Sequence, residues 1–277
     1  QAYRRAMRVE KTDIAAKYIV LNIWDDDHMR NIDAARWIRV AWMCRDLPRG
    51  GKDTYPVHGF PWAHCRFDTA KGTWVELPGF CKVAADLRKL VGRENYYDVY
   101  KNDTVAHLCA LREGGDAPVQ ELEKVAEAFG AKVDLRNPQK RQAEAKKLHI
   151  IYGIRSTMFI VDKLRAWCKA NDRKLLILLS YDVPSVMNYI EKGDRWDQEM
   201  VDFLDRNTDP YVDCLKKTRE EYQTFKGSIV DFIDRFYVGR AGAQVFGHYK
   251  PSGNFWFAQA IRKELIGWLD PKPPAYR

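Results

Sequence analysis

The chain has 277 residues, of which 46% are hydrophobic, 13% aromatic and 30% charged, enough apolar material for a substantial core and too much for a disordered polymer. Its 46 Lys and Arg against 38 Asp and Glu give a formal charge of +8, but the excess is spread along the chain, so no nucleic-acid interface is expected. No apolar run approaches the ~20 residues of a membrane span, and the longest, Lys174 to Ser180, has the length of a strand.

Residues 1 to 17 are expected to be helical, and Lys17 to Trp24 is a continuous apolar run. That run predicts a strand buried on both faces, ending in the polar Asp25-Asp26-Asp27-His28, as α/β sheets present at their active edge. Asn31 to Met43 is helical by spacing. Residues 46 to 82 are broken by Pro48, Gly50, Gly51, Pro56, Pro61 and Pro78, and Cys65 to Leu77 alternates around a turn, which predicts a β-hairpin. From Val83 to Leu148 the pattern is helical and polar, with breaks at Gly114-Gly115 and Asn137-Pro138. Its densest basic stretch, Asn137 to His149, reads as the solvated face opening a helix.

Ile150 to Ala170 predicts an amphipathic helix, with Ile154, Met158, Val161, Leu164 and Cys168 near 3.6 spacing. Leu175 to Leu179 predicts a second buried strand, Gln198 to Arg206 a helix, and Pro210 to Leu215 a short third strand. A loop from Gly247 to Asn254 leads into a last helix, Phe255 to Leu269, with Phe255, Phe257, Ala258, Ile261 and Leu265 facing inward. This alternation predicts an α/β fold, a three-layer sandwich around a mostly parallel sheet. The core is expected from 1-45 and 149-277, and 46-148 is expected as an inserted hairpin and helical cap.

Six cysteines without a Cys-x-x-Cys pair give no zinc or redox motif. Cys44, Cys65 and Cys81 bracket the irregular stretch, where crosslinks would help most, and Cys109, Cys168 and Cys214 read as buried thiols. Trp residues fall largely on apolar faces and are expected in the core. The Asp25 to His28 run invites a metal reading, since hard cations prefer clustered carboxylates, but successive side chains diverge and no second ligand cluster accompanies them. No metal or cofactor is assigned. His248, in the loop before the last helix, has the residue type and setting of a general base or of a hydrogen-bonded loop His.

Gly247-His-Tyr-Lys-Pro-Ser-Gly-Asn-Phe-Trp-Phe-Ala-Gln-Ala-Ile261 resembles the last block of the SGNH (GDSL-like) hydrolases, in which a catalytic His precedes a Pro-x-Gly-Asn turn and the final helix. Tyr18 to Asn31 resembles the strand and loop carrying that family's Gly-Asn-Asp oxyanion block and a following Arg-Asn. The hairpin Cys65 to Pro78 is similar to one inserted in bacterial members, and Tyr211-Val-Asp213 to their late Val-Asp strand. The matches run in the family's order along the whole chain.

The resemblance implies a flavodoxin-like sheet and hydrolysis or acyl transfer at an ester of a small molecule or carbohydrate, by a Ser nucleophile, a His base and an orienting Asp. Carried over, His248 is the base, Asp27 falls at the oxyanion Asn and His28 at the following Asp, while Asn22, Asp26, Arg30, Asn31 and Asn254 line the substrate. A carboxylate at Asp27 would oppose a developing oxyanion, so it must be protonated, turned away or used otherwise. Val245 stands where the family's Asp precedes the His, leaving a carboxylate of the Asp25 to Asp27 run to orient the imidazole. None of Ser156, Ser180, Ser185, Ser228 and Ser252 has a Gly-Asp-Ser or Gly-x-Ser-x-Gly setting. The resemblance therefore expects the Gly-Asp-Ser strand before Gln1, with Ser180 as the substitute within the chain. Two alternatives accompany it: a non-catalytic relative that binds carbohydrate or protein through the same cleft, and a metal-dependent enzyme centred on Asp25 to His28. Compartment and oligomeric state are not assigned.

Overall fold

A computed structural model describes residues 2–9, 16–39, 61–91, 95, 98–238, 248–270 and 272. Its strands are β1 (Tyr18–Trp24), β2 (His64–Asp68), β3 (Thr73–Leu77), β4 (Lys174–Ser180) and β5 (Tyr211–Asp213). The helices on which the site depends are α1 (Ala2–Val9), α2 (Asp25–Arg30), α3 (Thr104–Arg112), α4 (Gln120–Ala128), α5 (Arg141–Ala170), α6 (Val183–Lys192), α7 (Gln198–Arg206), α8 (Cys214–Thr224), α9 (Ile229–Phe236) and α10 (Pro251–Trp268). The fold is α/β, and the chain divides into two compact units, residues 27–160 and residues 2–26 with 161–277. The expected core and insertion differ from these units in the placement of 27–45 and 149–160. Within the described part of those segments, Ile32, Trp37 and Tyr152 share a cluster with Leu108, Leu122 and Leu148.

The unit of 2–26 and 161–277 is built on a parallel sheet in the order β1-β4-β5, with Tyr18 to Trp24 opposite Lys174 to Ser180 and Ile177 to Leu179 opposite Tyr211 to Asp213. The central strand β4 is aliphatic from Leu175 to Leu179 and buried along that length. Leu176, Leu178 and Val212 share one face, and Phe257, Ile261, Leu265 and Trp268 of α10 pack against it. Each such aliphatic side chain removed from water contributes about 1.5–3 kcal/mol. Phe255, expected inward, is 69% exposed, because it lies off the stripe that α10 turns to the sheet.

β1 departs from the expectation of burial on both faces. Val20 is 45% exposed and Asn22 is exposed as well; among the described residues only β4 is hydrogen-bonded to β1. Three helices after β4 begin on side-chain caps. Asp182 accepts from the Ser185 N–H at the start of α6, Asp213 from Leu215 and Lys216 at α8, and Ser228 from Asp231 at α9. α6 stops at Gly193, whose φ of 75° suits a residue without Cβ.

In the unit of 27–160, β2 and β3 form the expected antiparallel hairpin, turning through Gly72 at φ 62°. Phe67, Trp74, Phe129 and Tyr152 make an aromatic cluster, with Phe67 and Phe129 centroids 4.9 Å apart and Trp74 and Tyr152 5.2 Å apart. The Tyr152 hydroxyl accepts the Phe67 N–H at 2.8 Å. The basic stretch at the head of α5 is partly engaged: Arg141 pairs with Asp116, Lys147 donates to the Lys132 carbonyl, and His149 is buried. No helix among the described residues is long and apolar enough to cross a membrane.

Candidate functional site

Parallel strands deliver their carboxyl ends to one edge of the sheet, and ligands of α/β proteins bind there. At that edge β1 ends at Trp24 and Asp25, β4 at Ser180, Tyr181 and Asp182, and β5 at Asp213. Asp25 is 7% exposed. Its Oδ1 accepts the Asp26 N–H at 2.9 Å, and its Oδ2 accepts the Asp182 N–H and the Ser185 hydroxyl, each at 3.0 Å. Trp196 Nε1 donates to the same Ser185 oxygen at 3.1 Å. Burial, and then the neighbouring Asp182 carboxylate, push the Asp25 carboxyl up to about 8, so at neutral pH this group is predominantly the neutral acid.

Beside it lies a buried ionic network. Arg195 donates to Asp197 at 2.9 and 3.0 Å, to Asp213 at 2.5 Å and to the Tyr181 hydroxyl at 2.6 Å. Tyr181 in turn donates to Asp197 at 2.7 Å. Burial and the Asp197 carboxylate hold the Tyr181 phenol above its ordinary value. With Asp197 at 1% and Asp213 at 8% exposed, the network fixes the β4 and β5 ends relative to each other within their unit. Sequence separation hides such meetings: Asp25 and Ser185 are 160 residues apart. The local signal was Asp182 capping a helix with Pro184 in its first turn, directly after a buried strand.

The predicted site residues fall in different surroundings. His248 is exposed, and its carbonyl accepts the Val238 N–H at 2.6 Å. The next residue, Tyr249, bridges to Tyr237, and its ring stands 6.2 Å from that of Trp24 at the end of β1. The segment carrying His248 is thereby tied to the carboxyl edge of the sheet. Val245 lies outside the described residues. Asn254 is exposed in the first turn of α10. Ser180 is 1% exposed and donates to Asn22 Oδ1 at 2.8 Å, a bond that joins β1 to β4 and leaves the hydroxyl buried in the sheet.

The stretch expected as an oxyanion loop is helical from Asp25 to Arg30, because acidic residues in a first turn complement the helix dipole. Successive side chains therefore point apart: Asp25 goes to Asp182 and Ser185, Asp27 pairs with Arg30 at 3.3 Å, and His28 is 1% exposed. Asn31 donates to Thr157 Oγ1 at 2.9 Å. Among the described residues no three His, Cys, Asp or Glu side chains converge as a metal would require. Asn22, Asp26, His248 and Asn254 belong to one compact unit, and Asp27, His28, Arg30 and Asn31 to the other. Cys109, Cys168 and Cys214 are buried as expected; Cys44 lies outside the described residues.

No protein-family model matches the chain, and neither a curated protein nor a solved structure does.

Proposed function

We propose that the unit of 2–26 and 161–277 is the core of a three-layer SGNH-type hydrolase that cleaves an ester of a small molecule or carbohydrate. The observation that carries the reading is the contact of Tyr249 with Trp24, which keeps the His248 segment at the edge where α/β enzymes bind substrate. In the reaction His248 takes the proton of a serine hydroxyl as that oxygen attacks the ester carbonyl and returns it to the departing alkoxide, then takes a proton from water as it attacks the acyl-serine and returns it to the serine oxygen as the carboxylic acid leaves. The described serines are committed elsewhere: Ser156 to Gly153, Ser180 to Asn22, Ser185 to Asp25, Ser228 to Asp231 and Ser252 to Arg235.

The alternative of a non-catalytic relative rests on these commitments, which leave none of the five hydroxyls aimed at an ester. Hydrolysis of p-nitrophenyl acetate by the full-length gene product and its His248→Ala variant separates the two. A loss of at least about 100-fold in kcat/KM fits removal of a general base, whereas equal turnover in both proteins overturns the assignment.

A further inference from the structure

His149, on α5, lies in the unit of 27–160 and is 2% exposed. Its Nδ1 is 3.2 Å from Arg112 Nη1 of α3. A guanidinium can only donate, so Nδ1 must be the acceptor and the ring is neutral with its hydrogen on Nε2. Nε2 finds no hydrogen-bond partner among the described residues.

Among the described residues, the charged groups around the ring are already engaged. Arg112 is held by Glu113 at 2.7 Å and donates to the Arg39 carbonyl at 3.2 Å. Arg39 is paired with Asp33 at 2.8 Å, both nearly buried. Cys109, one turn before Arg112, is a buried thiol pushed up to about 12 by burial and neutral at any ordinary pH. Both carboxylates are thus already committed to an arginine. A second proton on His149 would put an N–H against the Arg112 N–H and a positive charge between two guanidinium groups. Burial, then Arg112 and Arg39, hold the imidazole well below its ordinary value.

We propose that His149 is an acid-operated latch in this unit: protonation of the ring expels the Arg112 guanidinium and releases α3 from α5. The proposal is independent of the hydrolase reading, since none of its residues belongs to the sheet edge.

Hydrogen exchange of the whole chain at pH 7.5 and 5.0, corrected for intrinsic rates, tests it. An opened state whose His149 titrates near 6.5 gains up to about thirtyfold in population at pH 5. Peptides covering Thr104–Arg112 should lose protection on that scale in the wild type and less than about threefold in His149→Gln, which keeps an acceptor for Arg112 and cannot titrate. Equal loss in both proteins, or none in the wild type, overturns the latch. Nitrogen-15 shifts of the wild-type His149 ring provide the variant-free check: the Nε2–H tautomer should persist below pH 6, and a midpoint near 6.5 or the opposite tautomer overturns the proposal.

Discussion

Replacing Asp25 with Asn exchanges a buried acid for a neutral amide of the same shape. Because the folded carboxyl is raised from 3.8 to about 8, the folded state holds a proton that the unfolded chain releases. Its contribution is therefore complete below about pH 4 and is lost as pH rises toward 8. Linkage at about 1.4 kcal/mol per pH unit gives a loss of about 3–4 kcal/mol for the wild type relative to Asp25→Asn between pH 5 and pH 8. The amide oxygen can still accept from the Asp182 N–H and the Ser185 hydroxyl, while the Asp26 N–H loses its acceptor, which costs about 1 kcal/mol at every pH. The variant should thus be close to the wild type at pH 5 and clearly more stable at pH 8. Urea unfolding of both proteins at the two pH values measures this, and a difference between them that stays constant within about 0.5 kcal/mol would refute the account of a buried, proton-holding Asp25.

Other expectations follow from single contacts. Arg195→Met leaves Asp197 and Asp213 charged and unpaired where both are buried, and should cost about 3–5 kcal/mol in chemical denaturation. Gly253→Ala would set a Cβ 2.1 Å from the Phe236 carbonyl oxygen, which is held in place by the Lys250 N–H; a loss of about 3 kcal/mol or more is expected. Gly267→Ala in the same helix meets nothing within 4 Å and should stabilise by about 0.5–1 kcal/mol, so thermal melts of the pair give opposite signs. Tyr152→Phe strips the acceptor from the buried Phe67 N–H and should cost about 1–2 kcal/mol.

Much of the sheet could be read in advance, and the exceptions have physical causes. β4 announces itself through its unbroken aliphatic run, and Lys174–Ser180 extends the expected strand by one residue at each end. β1 has a similar run, but an apolar sequence does not show which of its side chains are covered, and Val20 is half solvent. Asp25 to Arg30 reads as a loop because three acids and a His form no apolar face, yet six residues suffice for a helix whose first turn is acidic. His248 stands out in the sequence by residue type, whereas the cluster of Asp25, Asp182, Ser185 and Trp196 exists only once β1 and β4 lie side by side.

The central claim, ester hydrolysis through a serine and His248, is tested most directly by covalent capture. Incubating the full-length gene product with a fluorophosphonate probe and mapping the adduct by mass spectrometry should find one labelled serine, with labelling strongly slowed in His248→Ala. No adduct on any serine under conditions that keep the protein folded would contradict the hydrolase account and leave the sheet edge as a binding surface.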